Sequence, residues 1–191
     1  MKKTKKTWLI ILAVVIIIGG WLWSSYNKLV MANEGVDNQW AQVETQYQRR
    51  FDLIPNLVAS VKGAMEQEQT VFGDLAEART RYSGAQSVNE KAAAATAVES
   101  ALGRLLVIME NYPELKSIDA VQTLMAQLEG TENRVSVERG RFNEAVRVYN
   151  VLTKRVPTNM VARWFGFSEK TYFEAVEAAA EVPSVNLDLS Q

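Results

Sequence analysis

Between Thr7 and Asn27 the chain has 21 residues without a charge, TWLIILAVVIIIGGWLWSSYN, and Trp8 to Trp23 is apolar apart from two glycines. At about 1.5 Å rise per residue a helix of this length reaches about 30 Å, the thickness of a bilayer's hydrocarbon core. The segment is predicted to cross a membrane once. Trp8 at one end and Trp21, Trp23 and Tyr26 at the other are placed where amphipathic rings favour the headgroup layer. Lys2, Lys3, Lys5 and Lys6 precede the run, so the N-terminus is predicted to stay cytoplasmic and the rest of the chain to lie outside a bacterial inner membrane. The competing reading is a cleaved signal peptide. The run is long for that, its exit WLWSSY has bulky residues in place of an A-x-A-like cleavage site, and the lack of cysteine excludes a lipoprotein signal.

Beyond this segment apolar residues keep a seven-residue pattern: Tyr26, Leu29, Val36, Trp40, Val43 and Tyr47, then Ile54, Val58, Val61, Met65, Phe72, Leu75 and Tyr82. Sustained spacings of three and four predict a long helix with a narrow apolar seam, as in helical bundles. The polar stretch GAQSVN interrupts it, and Ser87 followed by Glu90 has the capping-box form of a new helix start. That helix is expected from about Asn89 to Asn111, burying Val98, Leu102, Leu105, Ile108 and Met109, and Tyr112-Pro113 ends it. A third long helix is expected from near Ser117 to Val156, closed by Pro157. The aromatic cluster RWFGF follows, then a short helix expected over about Ser168–Ala180 and an extended tail. No run alternates like a half-buried strand and no repeat period emerges, so the class is all-α.

Composition removes many chemistries. The chain has neither cysteine nor histidine, which excludes thiolate nucleophiles, disulfides and Cys-ligated metal, and takes away the usual neutral-pH base and metal ligand. The net charge of −1 hides an asymmetry: four of the 21 basic residues precede the apolar run, leaving 17 against 22 acidic ones, a net of −5. An acidic body argues against a nucleic-acid partner, which needs a positive stripe. There is no phosphate-binding glycine loop, nucleophile elbow or zincin helix.

The stretch RRFDLIPNLV, residues 49–58, gathers charge and a helix breaker on one turn. Arg50 falls on or beside the seam between Tyr47 and Ile54, where it must be paired or snorkel to water. Pro55 removes an N–H that the carbonyl of Phe51 would accept, so a kink or break is expected there, with Asp52 and Asn56 able to satisfy freed backbone groups. Two readings stand: a capped kink with a structural ion pair, or a charged pocket at a hinge. The first has the better claim, because structural networks also gather charges. In TENRVSVERGRFNEAVRVYN, residues 131–150, Glu132 and Arg139 straddle the seam and are candidates to meet Arg50 or Asp52 across the bundle. A di-metal site on Glu132 and Glu138 is disfavoured without histidine. Trp164, Phe165 and Phe167 read as a lid over a bundle end in preference to a docking surface.

Taken in order, YNKLV, RRFDLIPNLV, EARTRY, ENYPELK, TENRV, ERGRFNEAVRVYN and RVP resemble the LemA family of bacterial membrane-anchored proteins, over roughly residues 26–182. The resemblance implies a single N-terminal transmembrane helix followed by an antiparallel bundle of long helices. It divides the chain into a basic tail (1–6), an anchor (7–27), a helical bundle (28–182) and a C-terminal tail (183–191). The family's recurring positions correspond here to Arg49, Arg50, Asp52, Pro55, Asn56, Glu110, Tyr112, Pro113, Glu132, Asn133, Arg139, Asn143, Tyr149, Asn150 and Pro157. Two positions depart from the family pattern: Gln67 stands where histidine is usual, and Phe142 where tyrosine is usual. The resemblance implies a non-catalytic structural or assembly role at a membrane. No catalytic, cofactor or metal residue is assigned, and the expected partners are the bilayer, further copies of the chain or other membrane proteins. The alternative is a sensor or adaptor in which a hinge at Pro55 passes a ligand-induced shift to the membrane. An enzyme using Asp52, Glu132 and Arg139 in a polar pocket is the third possibility.

Overall fold

The structure is a computed structural model and describes residues 2–173. Among these residues are five helices, α1 (Lys2–Val61), α2 (Gln69–Gly84), α3 (Val88–Met109), α4 (Asp119–Lys154) and α5 (Thr158–Phe165). A 3-10 turn covers Pro113–Ser117, and the described residues contain no strand. The chain is all-α, and it divides into two compact units, one built from residues 1–60 and 119–172 and the other including residues 61–118.

In the first unit α1 and α4 lie side by side in opposite directions. Gln39 bonds Glu138, the Trp40 ring meets Phe142, Tyr47 meets Arg139, and Arg50 meets Leu128 and Glu132. As the α1 number rises its α4 partner's number falls, which is the antiparallel register. The interface follows the seam that the sequence spacing predicts, with Leu57 buried in place of the expected Val58, which is half-buried: Leu29, Val36, Trp40, Val43, Tyr47, Ile54 and Leu57 are buried on α1, and Val121, Leu128, Val135, Phe142, Val146 and Tyr149 on α4. Each such side chain contributes about 1.5–3 kcal/mol when fully buried. The edge-to-face pair of Trp40 and Phe142, with centroids 5.4 Å apart, fixes one layer of it.

The helix passes through Pro55 without a break. The pyrrolidine ring lies on an exposed position, away from the seam, so the lost hydrogen bond does not disturb core packing. Instead α1 stops at Val61, and residues 62–68 form turns in which Ala64 and Met65 donate back to the Val61 carbonyl. The single rod to Tyr82 suggested by the heptads is therefore two helices. No side chain caps the start of α2, so the sequence offers no start signal there.

In the second unit α2 and α3 form an antiparallel hairpin. Leu75, Ala78 and Tyr82 are buried on one helix and Ala95, Val98, Ala101, Leu102 and Leu105 on the other. Alanines at 78, 95 and 101 let the backbones approach closely. By composition α3 is also apolar enough to cross a membrane, but these residues face its partner in the hairpin. Ser87 accepts from the Glu90 N–H while the Glu90 carboxylate accepts from the Ser87 N–H, a complete capping box.

Past α4, Pro157 sits at the N-cap of α5 and Gly166, at φ 77°, closes it in the left-handed conformation that favours glycine. The last helix among the described residues thus occupies Thr158–Phe165. The helix expected from Ser168 is absent over 168–173, where the Lys170 N–H is taken by the Asn150 side chain. Residues 174–180 of that expectation, and the tail after them, lie outside the described residues.

Two outcomes test the α3 start. Ser87→Ala should lower stability by about 1 kcal/mol in denaturant unfolding, the usual cost of losing a cap. Backbone N–H groups of Gln86 and Ser87 hold the Glu90 carboxylate below its ordinary pKa. A depressed folded value means the stabilisation is complete above the ordinary carboxylate range and fades as pH falls through the folded value. Glu90→Gln should therefore flatten the acid limb of the stability profile.

Candidate functional site

The seam between α1 and α4 carries polar groups at three levels. The central one is Arg50, which takes the heptad position between Tyr47 and Ile54 and is only 5% exposed. Its Nη1 donates to the Leu128 carbonyl at 3.3 Å and its Nη2 to Glu132 Oε2 at 3.3 Å. Thr131, buried at the facing seam position, donates its hydroxyl to the same carbonyl at 2.8 Å. Arg50 Nε has no hydrogen-bond partner among the described residues. Glu132 is a rim residue, its side chain 68% exposed, so the ion pair is half solvated and contributes less than the burial of the arginine suggests.

One turn along, Arg139 donates through Nε to the Tyr47 hydroxyl at 2.7 Å and through Nη2 to the same oxygen, with its guanidinium 5.3 Å from the ring centroid. Tyr47 in turn stacks on Phe51. Further along, Gln39 Nε2 donates to Glu138 at 2.7 Å, and Arg141 holds the second oxygen of that carboxylate.

A fourth polar group ties down the segment after α5. Asn150, buried on α4, donates Nδ2–H to the Lys170 carbonyl at 2.8 Å and accepts the Lys170 N–H at 2.9 Å. The side-chain amide thereby acts as a backbone pairing partner for a stretch without regular structure. The Lys170 ammonium lies 2.6 Å from Asp37 on α1 and 5.7 Å from the Tyr149 ring centroid, and Lys154 pairs with Glu169 at 2.8 Å. Burial, then the negative charge of Asp37, pushes the Tyr149 phenol above its usual pKa.

The remaining family positions are spread out. Asp52 is exposed and accepts from Gln48, so it does not reach the seam. Arg139 meets Tyr47. Asn56 is exposed and its carbonyl accepts from Ser60. Arg49 lines a shallow groove with Leu53, Thr131 and Arg134. Glu110 and Asn133 are exposed, Asn143 is half-buried, and Pro55 and Pro157 are exposed. In the second unit Pro113 opens the 3-10 turn, and the Tyr112 hydroxyl lies 3.4 Å from Glu68. Burial, then Glu68, raises the Tyr112 pKa.

Asp52, Glu132 and Arg139 are thus not assembled into one pocket, and Glu132 and Glu138 bind different arginines. Sequence reasoning did not single out Gln39, Asp37, Thr131 and Lys170. Thr131 takes a seam position on α4, but only the stagger of the two helices sets it beside Arg50. Lys170 contributes its backbone to Asn150, which leaves no residue-type signal, as well as its ammonium to Asp37.

The expected mutational pattern is asymmetric. Arg50→Ala should cost about 2–3 kcal/mol through lost packing and charge-assisted hydrogen bonds, while Glu132→Gln should cost less than about 1 kcal/mol, both read by denaturant unfolding. Asn150→Ala should leave the helices formed but speed tryptic cleavage after Lys170.

Compared with known proteins, residues 39–187 match the model of the LemA family. Two magnetosome proteins of Paramagnetospirillum magneticum, MamQ 1 and MamQ 2, are each 26% identical over 207 residues, spanning 95% of this chain and 75% of theirs. The MamQ magnetosome protein of Magnetospirillum gryphiswaldense is 26% identical over 192 residues, 87% of this chain and 70% of its own. With the family's model covering most of its length, the chain belongs to the LemA family.

Proposed function

We propose that the protein is a membrane-anchored helical scaffold that self-associates or holds partner proteins at the membrane and catalyses no reaction. The reading places its N-terminus in the cytoplasm and its helical body on the far side of a bacterial inner membrane. The observation that carries it is the continuity of α1: one helix runs from an apolar stretch, Leu9 to Ile18, on which none of the described residues packs, into the α4 seam. Such an element anchors and supports with the same backbone. The polar seam is consistent with this role, because its arginines and carboxylates are engaged with one another and with the backbone. The relatives are magnetosome proteins by name, and a part in organising a membrane-bound structure is the function we carry to this chain.

Chemical crosslinking in native membranes, followed by sizing of the detergent-extracted protein, tests the scaffold. The expected outcome is a species larger than one chain, and a strict monomer recovering no partner would sink the reading. Topology is testable separately. Because the chain lacks cysteine, Val137→Cys should react with an impermeant thiol reagent in intact spheroplasts, whereas Lys3→Cys should react only after lysis.

A further inference from the structure

The antiparallel return of α4 delivers α5 to the end of the apolar segment of α1. Val161 and Ala162 of α5 form a buried cluster with Leu29, against which Leu22, Leu152 and Phe167 pack. The Tyr26 ring lies 4.8 Å from Phe165 and 5.9 Å from Phe167. Leu22 and Tyr26 belong to the uncharged run, and Leu22 stands about 7 Å before its end at Asn27. The helix therefore sits level with Trp21, Trp23 and Tyr26, the aromatic rings at one border of the span.

The surface α5 presents there is larger than its protein contacts need. At about 100° per residue its apolar side chains run in one arc of about 200°, from Met160 through Trp164, Val161 and Phe165 to Ala162. Only part of this arc is covered: Met160 is 51% exposed, Trp164 69% and Phe165 58%, with Val156 just before the helix at 73%. The charge nearby is mostly basic, with Glu169 paired to Lys154. From Val151 to Ser168 there is no acidic residue, whereas Lys154, Arg155 and Arg163 are basic, in a body that is otherwise net negative. An exposed apolar arc with a tryptophan and flanking arginines has the composition of an interfacial helix.

We infer that α5 is a second membrane contact: Val156, Met160, Trp164 and Phe165 seat in the headgroup and acyl boundary beside the span, and Arg155 and Arg163 meet lipid phosphates. The inference rests on the reading of α1 as a span. It gives the protein two attachment points on one leaflet, which fixes the tilt of the α1–α4 pair as well as its distance from the bilayer.

The test uses the full chain reconstituted in vesicles of phosphatidylethanolamine and phosphatidylglycerol, with single nitroxide labels at Val156→Cys and Met160→Cys. Val14→Cys reports on the span and Val137→Cys on exposed α4. The expected result is that oxygen relaxes labels 156 and 160 more effectively than a water-soluble nickel chelate does, at a depth shallower than label 14, while label 137 behaves as aqueous. Labels 156 and 160 as aqueous as 137, with label 14 deep, would overturn the α5 contact and leave the span intact. Labels shielded from both relaxants would mean cover by protein, a second copy included, and would also overturn it. An aqueous label 14 would remove the span reading and this inference with it.

Discussion

The first unit depends on the register of α1 against α4, and a buried arginine enforces that register. Apolar heptads alone tolerate slippage by whole turns, since one leucine layer resembles the next. Arg50 does not tolerate it. Its guanidinium finds the Leu128 carbonyl, already marked by the Thr131 hydroxyl, and Glu132 at the rim only in the observed alignment. A slip of one heptad would set the charge against Val121 or Val135, and an unpaired buried charge costs several kcal/mol. The arginine is a poor source of net stability and a strong source of uniqueness.

The other contacts of the unit follow from this alignment. With Arg50 opposite Leu128, Tyr47 meets Arg139, Trp40 meets Phe142, and Asn150 arrives where the chain beyond α5 can return to it. Lys170 then reaches Asp37, so the segment after α5 is bonded to both long helices. The hairpin of α2 and α3 settles its own geometry by other means, through close alanine contacts and a complete capping box.

Periodic features were legible in the sequence and exceptions to the period were less so. The seam residues, the apolar N-terminal segment, the Ser87–Glu90 cap and the helix end at Tyr112-Pro113 each rest on local spacing or residue type, and each appears in the structure. The first helix shows this: Pro55, a breaker on the solvent face, does not break it, while its stop at Val61 has no proline to announce it and the start of α2 has no side-chain cap. Helix α5 was missed for a similar reason. Gly166 could have marked its C-terminus, but the stretch after Ser168 looks helical until Asn150 claims the Lys170 backbone. The pairing of Arg139 with Tyr47 was hidden because the sequence fixes which residues face the seam without fixing the stagger of the two helices.

The absence of a break between the apolar segment and the seam links them in angle as well as in distance. A helix advances about 100° per residue, so the azimuth of every side chain from Leu9 to Ile18 is locked in phase with Val36, Tyr47 and Arg50. One residue inserted between Leu22 and Leu29 would leave both ends helical yet turn the apolar end by more than a quarter of a revolution beneath the bundle. The phase of α1 is thus a structural quantity that selection can act on, separate from the length of the apolar run and from its hydrophobicity.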